Sequence, residues 1–181
     1  MRKIIHFLVA CFGWKIDLNR PTHIKKGVVV MAPHTSNWDF VLGRLAFYTM
    51  GIKGRYIMKK EIFIFPLNIF LKALGAIPVD RHKNNNMVKQ VATLFEKTDS
   101  LFVVFTPEGT RDFNPNWRKG FYYIAQEARV PILLSYIDFS TKTCGFHSLF
   151  EPTGNIDHDI QKIKEILSPY KGRFPEKGII L

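Results

Sequence analysis

The segment Leu101-Phe102-Val103-Val104-Phe105-Thr106 (LFVVFT) is the clearest buried strand in the sequence. It is rich in β-branched and aromatic side chains, and a proline and a glycine follow it closely. Strands that are apolar on both faces are typical of parallel sheets covered by helices on both sides. The segment therefore predicts an α/β protein, with a loop at the carboxyl end of a central strand from about residue 106 onward.

The rest of the chain alternates between strand-like and helix-like segments. Strands are predicted at residues 27–32, 55–58, 76–80, 132–138 and 146–150, and helices at residues 40–50, 87–95, 120–129 and 157–167. This order predicts a mostly parallel central sheet flanked by helices. The length of 181 residues fits a single domain, expected at residues 21–181 after an N-terminal apolar helix over residues 1–20.

The composition is that of a globular protein with a strong excess of positive charge. Apolar residues make up 46% of the chain, charged residues 23%, and the formal net charge is +11. The apolar content excludes a wholly disordered chain, and the charge favours phosphates, nucleic acid or an anionic membrane surface as partners. Cys11 and Cys144 are too few for a disulfide scaffold and indicate reduced thiols of a cytoplasmic protein.

Two apolar segments point to a membrane surface. Residues 4–14 follow two basic residues, are fewer than the roughly 20 that a spanning helix needs, and lack a signal-peptide cleavage site. We expect a short helix that lies in the membrane interface, the alternative being a helix packed on the domain. Residues 62–71 are predicted to line an acyl-chain groove or to dip into the membrane, the alternative being ordinary core.

The first polar loop at a predicted strand end spans residues 33–39 (PHTSNWD). Ser36 or Asn37 can cap the helix that follows. His34 in the turn and Asp39 in the first helical turn can meet across this junction, where a carboxylate on one ring nitrogen leaves the other free as a base. The same residues also allow a solvated histidine and an aspartate that only favours the helix N-terminus.

Two further loops carry an arginine at a strand end. Residues 106–111 read TPEGTR, in which glycine permits close backbone approach to a ligand and arginine supplies a fork that matches phosphate oxygens. Residues 75–81 read GAIPVDR and deliver Arg81 beside Asp80. The simpler interpretations are a surface turn for the first loop and a structural ion pair for the second.

Together these loops resemble the sequence blocks of the glycerolipid acyltransferase superfamily, in its lysophosphatidate acyltransferase branch. The family's His-x4-Asp block is matched by His34 and Asp39, and its Pro-Glu-Gly-Thr-Arg block is present letter for letter at residues 107–111. Between them, GAIPVDR matches a block that ends in arginine, and Val130-Pro131-Ile132 matches the last block. The four blocks occur in family order over about residues 25–140, which implies the glycerolipid-acyltransferase fold.

The resemblance also implies a reaction and a role for each matched residue. The family transfers a fatty acyl chain from acyl-CoA or acyl carrier protein to a hydroxyl of a lysophospholipid such as 1-acylglycerol-3-phosphate, in membrane lipid synthesis. His34 is then the expected general base and Asp39 the residue that orients it, with no acyl-enzyme intermediate, metal ion or cofactor. Lys59, after a predicted strand, is a further candidate. The other matched residues are expected to bind the acceptor phosphate: Arg81, Glu108, Gly109, Thr110 and Arg111.

General chemistry supports this interpretation independently, since histidine is the expected base for a hydroxyl at neutral pH and arginines suit a phosphate. We expect a peripheral, monotopic protein on the cytoplasmic face of an anionic membrane. The alternatives are acylation of another lysolipid, such as an amino-acid lipid, a basic polyanion-binding module without catalysis, and a metal-dependent hydrolase. The sequence has no nucleic-acid-binding signature and no histidine spacing typical of a metal site, so we expect neither nucleic acid nor metal as a partner.

Overall fold

The computed structural model describes residues 2–19, 21–80 and 84–181. Its helices are α1 (Arg2–Cys11), α2 (Asn37–Met50), α3 (Leu67–Ala73), α4 (Asn84–Glu96), α5 (Gly120–Ala128) and α6 (Ile156–Leu167). Its strands are β1 (Lys15–Ile16), β2 (Lys26–Met31), β3 (Gly54–Lys59), β4 (Ala76–Val79), β5 (Leu101–Phe105), β6 (Ile132–Asp138) and β7 (Thr143–Phe150). Short 3-10 turns occupy Lys60–Ile62 and Pro175–Lys177.

The described strands form one seven-stranded sheet in the order β1-β7-β6-β2-β5-β3-β4. Neighbouring strands are parallel, apart from β6 and β7, which run antiparallel. The central strand β2 lies between β5 and β6, and its three valines are fully buried. The predicted single α/β domain with a mostly parallel sheet is therefore confirmed.

Helices cover both faces of the sheet, as the wholly apolar strands require. Successive residues of a strand point to opposite faces, so Val28 and Val30 belong to one core and Val29 and Met31 to the other. The first core also contains side chains of α4, α5 and α6, and the second contains side chains of α1 and α2. These two layers hold the sheet rigidly between them.

The short helix α3 lies in the same layer as α2. The chain moves outward along the sheet from β2 to β3 through α2, and outward again from β3 to β4 through α3. Crossovers between parallel strands are right-handed, so two crossovers in the same direction place their helices on the same face. Helices α4 and α5 carry the chain back in the other direction and pack on the opposite face. The exposed apolar side chains of α1 and α3 consequently share one face of the protein.

The N-terminal region differs from the sequence prediction in detail. Lys15 and Ile16 form an edge strand that pairs in parallel with β7, and a strand of two residues has no periodic pattern to detect. The helix before it begins at Arg2 and ends at Cys11, with Val9 buried in the core shared with α2. No helix in the described part of the chain is long and apolar enough to cross a membrane. A boundary at residue 20 between an interfacial helix and the main domain stays a prediction.

The apolar segment 62–71 is not ordinary core. It contains the end of a 3-10 turn and most of α3, and Leu71 is its buried side chain. Ile64, Phe65 and Phe70 are 66%, 80% and 64% exposed. The alternative of a core segment is therefore wrong, because Pro66 interrupts the helical pattern and the crossover runs at the edge of the sheet, where one side has no partner.

Candidate active site

The N-terminus of α2 fixes the position of Asp39. Ser36 is the N-cap residue, and its hydroxyl oxygen accepts a hydrogen bond from the Trp38 N–H. Asp39 completes the capping box, since its Oδ2 accepts the backbone N–H of Ser36 at 2.9 Å and that of Thr35 at 2.8 Å. The side chain is 1% exposed. The carboxylate is thus held beneath the loop that follows β2.

The same carboxylate oxygen contacts His34. The His34 Nδ1 lies 3.0 Å from Asp39 Oδ2, so a carboxylate acceptor assigns the ring hydrogen to Nδ1 and leaves the lone pair of Nε2 free. The imidazole is 19% exposed and lines a cavity, whereas Asp39 lies behind it. The predicted meeting of these two side chains across the turn is present, and a merely solvated histidine is not what the structure shows.

Glu108 lies behind the dyad and outside the cavity lining. Its Oε1 accepts the backbone N–H of His34 at 3.1 Å, and the side chain is buried. Burial raises the pKa of this carboxyl to about 7. Hydrogen bonds from its own backbone and from the His34 backbone lower the pKa, but by less than burial raises it. Its Oε2, like Asp39 Oδ1, is buried without a hydrogen bond to the described residues. These contacts join the residue to the His34 loop, and its predicted part in phosphate binding stays a prediction.

A cavity of about 610 Å³ opens at the carboxyl ends of β3 and β5. Its lining includes the apolar side chains of Ile57, Met87, Phe105 and Phe121 and the polar or charged side chains of His34, Thr110, Arg111 and Arg118. No acidic side chain is among the described residues that line it. The cavity therefore combines positively charged and apolar lining residues with the imidazole of His34.

The loop 107–111 contributes Arg111 and neighbouring residues to the cavity lining. Gly109 has a φ of 68°, a left-handed conformation that favours glycine, and its N–H donates to the Thr106 carbonyl. Thr110 and Arg111 are exposed, and the Arg111 Nη1 donates to the Asn37 side-chain oxygen beside the dyad. The loop after β5 and the loop after β2 therefore meet at one place.

The structure leaves the roles of Lys59 and Arg81 open. Lys59 ends β3 with an exposed side chain and is not among the described residues that line the cavity. Arg81 lies outside the described residues. A place for Lys59 in the site and the binding of phosphate by Arg81 stay predictions.

The sequence analysis missed two parts of the site. Arg118 lines the cavity from the loop before α5, and the available signal was its place in a basic pair, Arg118-Lys119, directly before a helix. The C-terminal segment 172–178 covers the His34 loop, with the Phe174 N–H donating to Thr35 Oγ1 at 3.3 Å. A Cβ at Gly172 would meet that threonine oxygen at 2.5 Å. Such close approach of a distant segment leaves no pattern in a single sequence.

The comparisons with known proteins identify the family of this α/β protein. The chain belongs to the acyltransferase family, whose family model matches residues 15–137. Among curated proteins it is similar to human 1-acyl-sn-glycerol-3-phosphate acyltransferase beta, with 26% identity over 139 residues. That match covers 72% of this chain and 49% of the human protein, so the chain spans about half the length of that relative.

A solved structure gives the same fold. The crystal structure of the 1-acyl-sn-glycerophosphate (LPA) acyltransferase PlsC from Thermotoga maritima matches with a TM-score of 0.61, covering 92% of this chain and 74% of that one. The match confirms the acyltransferase fold expected from the sequence blocks. At a sequence identity of 17%, it shows the fold alone.

Proposed function

We propose that this protein transfers a fatty acyl chain from an acyl thioester, acyl-CoA or acyl carrier protein, to the free hydroxyl of a lysophospholipid whose headgroup is a phosphate. The observation that carries the proposal is the contact between the buried Asp39 carboxylate and His34, at a cavity that Arg111 and Arg118 also line. The matched names support it, because both proteins are described as acyltransferases of 1-acylglycerol phosphates.

His34 acts as the general base in this proposal. Its Nε2 takes the proton from the acceptor hydroxyl as the oxygen bonds to the thioester carbonyl carbon. The carbon–sulfur bond then breaks, and the proton passes from the imidazolium to the leaving sulfur. Asp39 stabilises the imidazolium and keeps the hydrogen of the neutral ring on Nδ1. The reaction requires no covalent intermediate on the protein, no metal ion and no cofactor.

The loop 109–111 holds the acceptor phosphate in this proposal. Glycine at 109 permits close approach of the backbone, and Thr110 and Arg111 add a hydroxyl and a guanidinium to the same cavity. Glu108 acts from behind, as a positioning residue for His34 through its backbone N–H. The apolar lining residues of the cavity, among them Ile57, Met87 and Phe121, suit the hydrocarbon portion of a substrate.

The face that carries α1, α2 and α3 is the proposed membrane contact. Large apolar side chains exposed there include Ile4 and Phe7 on α1, Phe12 directly after it, and Phe65, Ile69 and Phe70 at α3. Exposed basic residues border them, among them Lys3, Lys60 and Lys72. Shallow insertion of apolar side chains beside lysines is the physical signature of a peripheral protein on an anionic leaflet, here the cytoplasmic one.

A panel of donors and acceptors tests the proposed reaction. Purified protein is incubated with palmitoyl-CoA or palmitoyl acyl carrier protein and with a lysophosphatidate, a lysophosphatidylcholine or an amino-acid lysolipid, and the lipid products are measured by mass spectrometry. We expect phosphatidate from the lysophosphatidate. Formation of a diacyl product from the amino-acid lysolipid alone would contradict the phosphate acceptor while leaving the acyl transfer intact.

A further inference from the structure

Arg118 is a positively charged residue of the cavity lining that lies outside the four sequence blocks. It lies in the loop between the 107–111 segment and α5, and its backbone N–H donates to the Pro107 carbonyl at 2.8 Å. This bond ties the residue to the loop that carries Arg111. Both arginines line the same cavity as His34.

The side chain of Arg118 packs directly on Gly109. A Cβ at position 109 would lie 2.3 Å from Arg118 Nε and 2.8 Å from its Cδ and Cζ. The left-handed φ of 68° favours glycine there, and a side chain at this position would also have to displace the Arg118 guanidinium. The glycine of the loop and the orientation of Arg118 are thus parts of one arrangement.

The charge of Arg118 is not balanced within the described part of the chain. Its guanidinium makes no ion pair there, and the nearby carboxylates are engaged elsewhere: Glu108 with the His34 backbone and Asp112 with Lys177 at 2.7 Å. Arg111 contacts Asn37, a neutral amide, and interacts electrostatically with Asp112, which is itself paired with Lys177. Two guanidinium groups at one cavity, with no acidic side chain among its described lining residues, favour a ligand with more than one negative charge.

The N-terminus of α5 adds a third attractive group on the same side. Gly120, its first residue, lines the cavity, and the helix has neither a side-chain cap nor an acidic residue in its first turn. Its first backbone N–H groups and the positive end of its dipole are therefore free to face an anion next to Arg118.

We propose that Arg118, with Arg111, selects a phosphate monoester over a phosphate diester as the acceptor headgroup. A monoester carries about −1.5 to −2 charges at pH 7, which two guanidinium forks can match. A diester carries one charge and has fewer free oxygens, so it gains less from the second fork. The inference rests on the proposed function and adds to it the residue that discriminates between headgroups.

Kinetics with two acceptors test this selection. Wild type, Arg118→Gln, Arg118→Lys and the control Lys162→Gln, which removes one exposed charge of α6, are assayed with lysophosphatidate and lysophosphatidylcholine. We expect Arg118→Gln to raise the KM for lysophosphatidate by about 10- to 100-fold, the loss of a charge-assisted hydrogen bond, with a much smaller effect on kcat. Arg118→Lys should recover part of the loss, and Lys162→Gln should resemble wild type.

A binding measurement separates this inference from the proposed reaction. Glycerol 3-phosphate, a soluble phosphate monoester, should raise the thermal midpoint of wild type and fail to raise that of Arg118→Gln. If wild type transfers no acyl chain but shows this shift, the proposed reaction fails and the anion site stands. If Arg118→Gln uses lysophosphatidate as wild type does, or loses both acceptors equally, the selection by Arg118 is wrong. Should Arg118→Gln not fold, the same comparisons apply to Arg118→Lys.

Discussion

The carboxylate of Glu108 accepts the backbone N–H of His34 at 3.1 Å, which joins the loop after β5 to the loop after β2. Its neighbour Asp39 holds the imidazole of the same histidine through Oδ2. The two buried acids therefore fix one residue from two sides, one through its backbone and the other through its side chain. Because both loops start at the carboxyl ends of adjacent parallel strands, the sheet itself sets their distance.

Glu108 should make the stability of the protein depend on pH. Burial raises its pKa from 4.5 to about 7 in the folded state, so the folded protein binds more protons than the unfolded chain between these values. The associated stability is present below about pH 4.5 and is lost as the pH rises toward 7. Glu108→Gln keeps an acceptor for the His34 N–H and removes the titration. Its free energy of unfolding relative to wild type should therefore increase by about 2 kcal/mol from pH 5 to pH 7.

Chemical denaturation of both proteins across this pH range measures the difference. A constant gap between wild type and Glu108→Gln from pH 5 to pH 8 would show that the Glu108 carboxyl does not titrate within this window.

Asp39→Asn should abolish most of the activity without removing the helix cap. The same oxygen, Oδ2, accepts the Thr35 and Ser36 N–H groups and contacts His34 Nδ1, so an asparagine oxygen in its place keeps these bonds but carries no negative charge to stabilise the imidazolium. We expect kcat to fall on the order of 10²-fold or more, while circular dichroism shows an unchanged fold. Activity within a few-fold of wild type would indicate that the negative charge of Asp39 is not needed to stabilise the imidazolium.

Gly172 should be needed for activity although it lies outside the sequence blocks. A side chain at 172 must displace Thr35, whose backbone N–H donates to Asp39. Gly172→Val should therefore lower kcat more than its loss of thermal stability explains. Gly154→Val is the control, since its φ of 99° strains the backbone of any side-chain-bearing residue while no atom lies within 4 Å of the added Cβ. Equal losses of activity in both variants would mean that general destabilisation is responsible.

The membrane contact is tested better by surface substitutions than by deleting α1, because Val9 belongs to the core. Phe65→Ser with Phe70→Ser should weaken sedimentation with anionic vesicles, and wild-type binding should weaken as salt rises. Tyr123→Ser removes a half-exposed aromatic ring from α5, in the opposite layer, and serves as the control. Unchanged sedimentation of the double variant, or equal binding of wild type to neutral vesicles, would contradict contact through α3.

The elements of the fold followed from hydrophobic patterns where those patterns were long. The apolar runs at β2, β5 and β6 and the helical spacing in α4 and α6 appeared within a few residues of their predicted bounds. The two-residue strand β1 could not be predicted, because its existence depends on pairing with β7.

The same distinction applies to the site: residues in short loops at strand ends could be predicted, whereas contacts that depend on tertiary packing could not. His34 and Asp39 lie in one short segment after β2 and Arg111 in the loop after β5, so their positions at strand ends predicted that they lie near each other. The burial of Glu108 and its bond to the His34 backbone could not be predicted, because side-chain direction at a loop is decided by packing. Arg118 and Gly172 reach the site through tertiary contacts across the fold, which a single sequence does not encode in any pattern.

The central claim is that the imidazole of His34 takes the proton of the acceptor hydroxyl. It is tested most directly by thiol release from an acyl thioester in the presence of lysophosphatidate, comparing wild type with His34→Ala and with His23→Ala, an exposed histidine that is not among the described residues lining the cavity. Loss of the general base should reduce the rate by about 10²- to 10⁴-fold in His34→Ala while His23→Ala matches wild type. A folded His34→Ala protein that releases thiol within about 10-fold of the wild-type rate would contradict it, since that is less than the least a general base contributes.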